Sequence, residues 1–296
     1  MQTHSAPYVV CVGAATLDTI LAVPRHPAAD DRVVATDLVR AGGGPAATAA
    51  VALARLGVPV FLVGAVGDDD VGASIREGLE REGVDVSELA VAPGARSAES
   101  AILVEAGTGH RTIAAFLGTL PPLELGGRAR DLCRGAAWTH VDHVGYPAVR
   151  GDDVRLSIDA GNPVPGLELA DVSLYGPTED TPLTLFPGLD VEEAARAALR
   201  AGAELVVVTR GSKGSLAARD GDVVAAPALP VDPVSTLGAG DVFHGALLAQ
   251  LVRKAQLADA LVAANACAAL ACRALDGRSA IPSARELEHV LAGSRA

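Results

Sequence analysis

Between Ser235 and Leu251 the chain reads STLGAGDVFHGALLAQL, which sets three small residues directly before an acid and then starts an apolar run. Glycine at the mouth of a helix carries an entropic cost and buries nothing, so Gly238, Ala239 and Gly240 point to a backbone that has to stay bare. Ahead of a helix they present successive N–H groups at its N-terminus, where unpaired donors and the dipole together favour an anion. Asp241, in the first turn, is stabilised by the same dipole and held close to whatever anion binds. Phosphoryl transfer to an alcohol needs both parts, charge stabilisation on the transferring oxygens and a base for the hydroxyl proton. The same residues also read as an N-capping Asp after a Gly-rich turn, so GAGD alone leaves both readings open.

The elements that must position these groups are written as apolar runs bounded by turn signals: YVVCVGAA, VFLVGAVG, AILVEAG, AAWTHVDHVG, VRLSIDAG, VSLYG, ELVVVTRG and DVVAAPAL. Runs this continuous, rich in Val and Ile, suit strands covered on both faces. Helix-period segments such as PAATAAVALARLG, DVGASIREGLEREG and DVEEAARAALRAG lie between them, each closing on Gly. Strand, helix, strand in series predicts an α/β, doubly wound fold with a mostly parallel sheet. Two segments, at about 31–43 and 96–117, alternate apolar and polar residues, the second with a hairpin signal at Gly107–Gly109. They predict a small discontinuous β-lid inserted into a single domain over 1–296, edge strands of the main sheet being the alternative. The connection YPAVRGDDV is short for a parallel crossover with its helix. It implies a helix of about one turn or a stretch of missing chain.

Bulk properties exclude several classes. A net charge of −12 with no basic run argues against nucleic acid as a partner. No window is apolar enough for a membrane span and the first residues lack a basic leader, so a cytoplasmic protein is expected. Cys11, Cys133, Cys267 and Cys272 form no CxxC pair and read as buried small hydrophobes.

TLGAGDVFHGALL resembles the C-terminal signature of the PfkB (ribokinase-like) carbohydrate kinases, and GGGPAATAAVALARLG, Gly42 to Gly57, resembles their N-terminal one. CVGAATLD, VGAVGDDDVGASIREGLEREGVDV, VVVTRGSKGS and DGRSAIP are similar to further family segments, so the likeness spans essentially the whole chain. The wording is most similar to the sulfofructose kinase branch, with ketohexokinase a looser relative. The resemblance implies a ribokinase-like fold, with helices flanking the central sheet, and ATP-dependent phosphorylation of a primary hydroxyl of a ketose of fructose or sulfofructose type. Kinases for ribose or a nucleoside, or a non-catalytic sugar or nucleotide sensor, are the alternatives.

Position by position, the resemblance makes Asp241 the general base and the Gly238–Gly240 amides the anion hole. Asp18, at the end of the first strand, would accept hydrogen bonds from the sugar. Gly43 and Gly44 would let backbone approach it, and Thr48 stands where the family usually carries Asn. Thr209, Gly211, Lys213 and Gly214 resemble the loop touching the ATP phosphates. Ala264, Cys267 and Ala268, with the stretch 226–230, would flank the adenine. Glu179 matches the acid that organises Mg²⁺ through water. Gly176 stands in for the Asn of that motif, and Ser235 for an Asp that commonly helps hold a monovalent cation, which argues against potassium activation. A sulfonated sugar would need a cation, for which Arg111, Arg32 and His143 are candidates. His244, one turn after Asp241, reads as a helix histidine packed under the site, Asp68–Asp70 as a loop and N-cap, and His110-Arg111 as a lid element able to deliver a cation. Pairing through the lid would make the protein a homodimer.

Overall fold

Each apolar run ends where a glycine, proline or acid interrupts it. In the computed structural model, which describes residues 6–293, the runs become the strands of one large sheet. In chain order the elements are β1 (Val9–Val12), β2 (Thr16–Val23), β3 (Asp37–Gly43), α1 (Pro45–Arg55), β4 (Val60–Gly67), α2 (Asp70–Arg81), β5 (Leu89–Ala92), β6 (Ala98–Glu105), β7 (Arg111–Phe116), α3 (Gly127–Gly135) and β8 (Trp138–Val141). There follow α4 (Tyr146–Val149), β9 (Leu156–Ala160), β10 (Leu174–Pro177), α5 (Asp180–Leu185), α6 (Val191–Arg200), β11 (Leu205–Thr209), β12 (Ser215–Arg219), β13 (Asp222–Ala226), α7 (Ala239–Val252), α8 (Leu257–Ala271) and α9 (Ala284–Gly293). The large sheet has nine strands in the order β13-β12-β11-β10-β9-β8-β1-β4-β5, parallel from β5 to β11 and antiparallel through β12 and β13.

Both faces of this sheet are covered, as its unbroken apolar runs require. One face packs under α1, α7 and α8, around Val9, Cys11, Leu62, Leu174 and Leu205. The other packs under α3, α4 and α6, around Val10, Val12, Ile158, Tyr175 and Val206. A four-stranded sheet, order β3-β2-β6-β7, stands apart and shares a small core of Ile20, Ile102 and Val104 with Leu275. Its outer strand β7 is exposed along its whole length, with Ile113 and Phe116 facing solvent.

The structure corrects several expectations. β2 is a separate strand of the small sheet, so Asp18 lies in β2 and not at the end of β1. The first apolar run breaks at Gly13, where a Cβ would meet the Asp142 carboxylate at 2.2–2.5 Å. The segment 31–43 supplies a strand only from Asp37, and β5 and β12 had not been expected. β13 is the outer antiparallel edge of the large sheet, separated by a loop from α7. The short connection after β8 holds a one-turn helix, α4, whose Tyr146 and Val149 are buried. The Asp68–Asp70 run is the loop and cap it was read as: Asp69 Oδ1 accepts the Gly72 N–H at 2.8 Å and Asp68 Oδ1 accepts the Gly94 N–H. Among the described residues no helix is long and apolar enough to cross a membrane.

Candidate active site

Alanine and glycine make the site possible by letting two helices approach closely. At the α1–α7 contact a Cβ on Gly245 would sit 2.4 Å from the Ala49 carbonyl oxygen and 2.8 Å from the Ala52 Cβ. α1 starts at the N-cap Gly44 and α7 at the N-cap Gly238, neither capped by a side chain. A Cβ on Gly238 would reach Gly277 Cα at 3.0 Å and Thr48 at 3.5 Å, and its φ of 71° is one an L side chain rarely adopts. The two glycine-rich mouths therefore lie side by side. A Cβ on Gly240 would meet nothing within 4 Å, so the mouth of α7 stands open.

The GGG before α1 is spent on two charged side chains and a chain crossing. A Cβ on Gly42 would fall 2.3 Å from an Nη1 of Arg278, and one on Gly43 only 2.0 Å from Asp18 Oδ2. One on Gly44 would clash with the Ala14 carbonyl at 2.4 Å. Arg278, in the loop after α8, is 7% exposed; its Nε donates to Thr48 Oγ1 at 3.1 Å and its Nη2 to the Gly43 carbonyl at 2.6 Å. Asp276 fixes that loop by accepting from the N–H groups of Arg278 and Ser279, both at 2.7 Å. Asp18 is equally buried and accepts from Thr16 Oγ1 at 2.9 Å.

These groups form one electrostatic unit. Asp241 is half-buried at the first turn of α7. Burial, followed by the charges of Asp159 and Asp142, lifts its carboxyl well above the usual carboxylate range, and Arg278 opposes the rise. Burial also raises Asp18, against Thr16, Ser100 and Arg278, which favour its charged form. Burial pushes the Arg278 guanidinium down to about 10, with Asp18 and Asp241 holding it up. A carboxylate poised above its normal range is a better proton acceptor at neutral pH than an ordinary Asp. Asp142 staples the scaffold, accepting N–H groups from Ala14, Ala46, Val144 and Gly145 at 2.8–3.2 Å.

The second half of the candidate site lies at the end of β11. Glu179 accepts from Arg210 Nε at 3.2 Å and Lys213 Nζ at 3.0 Å, and Lys213 above all holds its carboxyl below the usual range. Thr209 is half-buried, Gly211 and Lys213 are exposed, and Gly214 packs so tightly that a Cβ would sit 2.1 Å from the Ala226 carbonyl. Ala264 and Cys267 lie fully inside the core and back this region without presenting a surface to it, whereas Ala268 keeps partial exposure. Asn265 between them donates to the Ala226 and Pro227 carbonyls, both at 3.1 Å, and so ties α8 to the loop after β13. Burial drives the Cys267 thiol up to about 12, so it remains a neutral core residue.

The small sheet also reaches the loop before α7. Arg111 on β7 donates to Thr236 Oγ1 at 2.8 Å, two residues before Gly238. Arg32 is exposed, while His143 follows the staple residue Asp142. The sequence reading missed Arg278, Asp159 and Asp142 as members of the site. For the two acids a signal existed, since SIDAG and THVDHVG are apolar runs ending on Asp. Arg278 is 230 residues from Thr48, and no spacing points to that contact.

The chain matches the model of the pfkB family carbohydrate kinases over residues 6–144 and 170–284, a match that lapses over α4, β9 and the loop after it. A ribokinase of Bacillus subtilis is 28% identical over 304 residues, with 95% of this chain and 99% of that protein covered. A fructokinase of Klebsiella pneumoniae is 32% identical, with 86% of this chain and 93% of that protein covered. The crystal structure of a candidate ribokinase from Agrobacterium tumefaciens superimposes with a TM-score of 0.88 at 29% identity, covering 98% of this chain and 99% of that one. With its ribokinase-like α/β fold and the family model matched over most of its length, the chain belongs to the pfkB family of carbohydrate kinases.

Proposed function

We propose that the protein transfers the γ-phosphoryl group of ATP to the primary hydroxyl of a sugar, a ketose of the fructose type, at the mouth of α7. The observation that carries this reading is the open helix mouth at Gly240 with Asp241 in its first turn and Asp18 and Arg278 in the same electrostatic unit. Asp18 and Arg278 hold sugar hydroxyls as acceptor and donor. Asp241 takes the proton of the primary hydroxyl, the freed oxygen forms its bond to the γ-phosphorus, and the bond to the β–γ bridging oxygen breaks to release ADP. The amides of Gly238, Ala239 and Gly240 stabilise the charge on the transferring oxygens. Thr209, Gly211, Lys213 and Gly214 line the phosphates of the nucleotide, and Ala268 with the stretch 226–230 borders its base.

Glu179 fits a hydrated Mg²⁺ carried by the nucleotide. It is a single, already ionised carboxylate at the phosphate end, and Mg²⁺ keeps several waters and takes only one or two protein carboxylates. The ion supplies charge neutralisation on the phosphates. Lys213 and Arg210, which donate to Glu179, are the cations able to turn to the phosphates when nucleotide enters.

Ribose is the second reading, favoured by the 29% identical candidate ribokinase and the 28% identical ribokinase. A coupled assay of ADP formation over fructose, ribose, a nucleoside and phosphorylated and sulfonated ketoses, with and without potassium, tests the function. Turnover is expected with a neutral sugar. Nucleotide binding without turnover on any sugar would show a sensor instead.

Gly43→Ala is expected to raise the KM for the sugar by roughly 10- to 100-fold with the nucleotide KM unchanged, because the new methyl displaces Asp18 and a misplacement of about 1 Å is that costly. Steady-state kinetics on both substrates check this. The lid bears on assembly. Its exposed Leu38 and Phe116 share the face of the small sheet opposite the Ile20–Ile102 row, which a second copy of the lid would cover. A dimer is expected by light scattering, and Leu38→Lys should convert it to a monomer.

A further inference from the structure

Thr48 and Arg55 stand seven residues apart on α1, two turns and about 10 Å along one helix face. Both grip the same segment, the loop 276–281 after α8. Thr48 Oγ1 accepts from the buried Arg278 side chain on the inner side of that loop. Arg55 holds the outer side, where its Nη1 donates to the carbonyls of Ile281 at 2.7 Å and Ser279 at 3.2 Å. The other two nitrogens of its guanidinium, Nε and Nη2, form a two-pronged pair with the Glu82 carboxylate at the end of α2, at 2.7 and 2.8 Å. Among the described residues, every hydrogen bond that leaves 276–281 ends on α1 or on Gly43, two residues before it.

The inner residues of the loop touch both glycine mouths. A Cβ on Gly277 would sit 3.2 Å from the Leu237 carbonyl oxygen and 3.3 Å from Gly238 Cα, so its backbone lies against the mouth of α7. The next residue, Arg278, fills the space beside Gly42 and reaches the Gly43 carbonyl. Within the loop Asp276 ties Arg278 to Ser279, and the Ile281 N–H donates to the Arg278 carbonyl at 3.0 Å. The segment is therefore one piece, and the placing of Gly277 and Arg278 depends on where its outer carbonyls are held. An arginine in the last turn of a helix ordinarily serves that helix's own carbonyls. Arg55 does not: the Leu56 carbonyl at the end of α1 accepts from Arg253, and all four hydrogen bonds of the Arg55 side chain go to other elements. With side chains 23% and 28% exposed, the Arg55–Glu82 pair is shielded and fixed in two directions, unlike a single-contact surface pair.

We propose that Arg55 is a positioning residue for sugar phosphorylation: by clamping the Ser279 and Ile281 carbonyls it holds Gly277 against the mouth of α7 and Arg278 in place at the sugar. The proposal rests on the reading of Arg278 as a sugar-binding group. Releasing the clamp frees the loop to shift and carries the Arg278 donor with it. The segment at the end of β11 makes no hydrogen bond to this loop among the described residues, so the nucleotide half is left alone.

The test compares the full chain with Arg55→Met, Arg55→Lys and Glu82→Gln, recording kcat, the KM for the best sugar, the KM for ATP and the melting temperature of each. Arg55→Met is expected to raise the sugar KM roughly tenfold, the scale of a displacement below about 1 Å, with the KM for ATP within about twofold. Glu82→Gln, which loses the ion pair but leaves Arg55 on the two carbonyls, should lower the melting temperature and keep the sugar KM within about twofold. If Arg55→Met does not fold, Arg55→Lys decides alone: one ammonium cannot serve a carboxylate and two carbonyls at once, so its sugar KM should still rise by about fivefold. An unmoved sugar KM in the folded Arg55 variant, whatever its melting temperature, would make Arg55 a structural tie and overturn the proposal. An equal rise in Glu82→Gln would place the effect in the ion pair and not in the carbonyl clamp, and would overturn it too. Arg278→Met measured alongside separates the two claims: an unchanged sugar KM there sinks Arg278 as a sugar group, whereas a raised one together with an unmoved Arg55 result sinks only the role of Arg55.

Discussion

Asp241→Asn is expected to lower kcat by roughly 10²- to 10⁴-fold, the usual share of a positioned base, while nucleotide affinity stays within about twofold. The isosteric amide preserves the first turn of α7 and its glycine mouth, so the proposed anion site survives and only proton acceptance is lost. The same change has a stability signature of definite sign. Burial raises the carboxyl of Asp241 in the folded chain above its unfolded value, so the stability linked to its protonated form is fully present below the ordinary carboxylate range. It is lost as pH rises through the raised value. Asn carries no such loss. The variant should therefore melt higher than the native chain at pH 8, with a difference of ~1 kcal/mol showing as about 2–4 °C in a domain of this size, and the gap should close towards pH 4. Calorimetry at the two pH values, beside the rate measurement, distinguishes a removed base from a damaged fold.

Arg278→Met carries the second large effect, and here both stability and sugar binding fall. The guanidinium is buried, donates to Thr48 Oγ1 and the Gly43 carbonyl, and faces the charges of Asp18 and Asp241. Removing one partner from a buried charge network strands the others, at a cost of about 3–5 kcal/mol. With the cation gone, Asp18 holds its proton to higher pH and loses acceptor capacity, so the KM for the sugar should rise on the order of 10²-fold, more steeply at pH 6 than at pH 8. Arg278→Lys should recover part of the stability and little of the KM, because a point charge cannot serve Thr48 and Gly43 in two directions at once. An unchanged melting temperature in Arg278→Met would mean that the buried network does not exist in solution.

How much of this was legible in the sequence depended on whether the determining contacts are local. The bare mouth of α7 could be read from GAGD and the apolar run after it, because a helix N-terminus is built from consecutive residues. The parallel sheet could be read because its strands are covered on both faces and therefore unbroken. The reason for GGG could not. It was read as room for a sugar, whereas at Gly42 and Gly43 the room is taken by Arg278 and Asp18, one of them arriving from the far end of the chain. Gly176 is a similar case. It looked like a missing polar group, and the structure shows its space filled by His244 from a different element. β2 was hidden because Gly13 and Ala14 bend the chain only briefly between two apolar stretches, so the run looked like one strand that ended at Asp18.

The central claim is that the anion hole, Asp241 and Asp18 act on one bound sugar. A crystal structure with a non-hydrolysable ATP analogue, Mg²⁺ and the sugar that turns over tests it most directly. The sugar's primary hydroxyl is expected at about 2.6–3.2 Å from an Asp241 carboxylate oxygen, with another hydroxyl on Asp18 and the γ-phosphate aimed at the Gly238–Gly240 amides. A sugar bound with its primary hydroxyl out of reach of Asp241, or a γ-phosphate lying away from those amides, would contradict it.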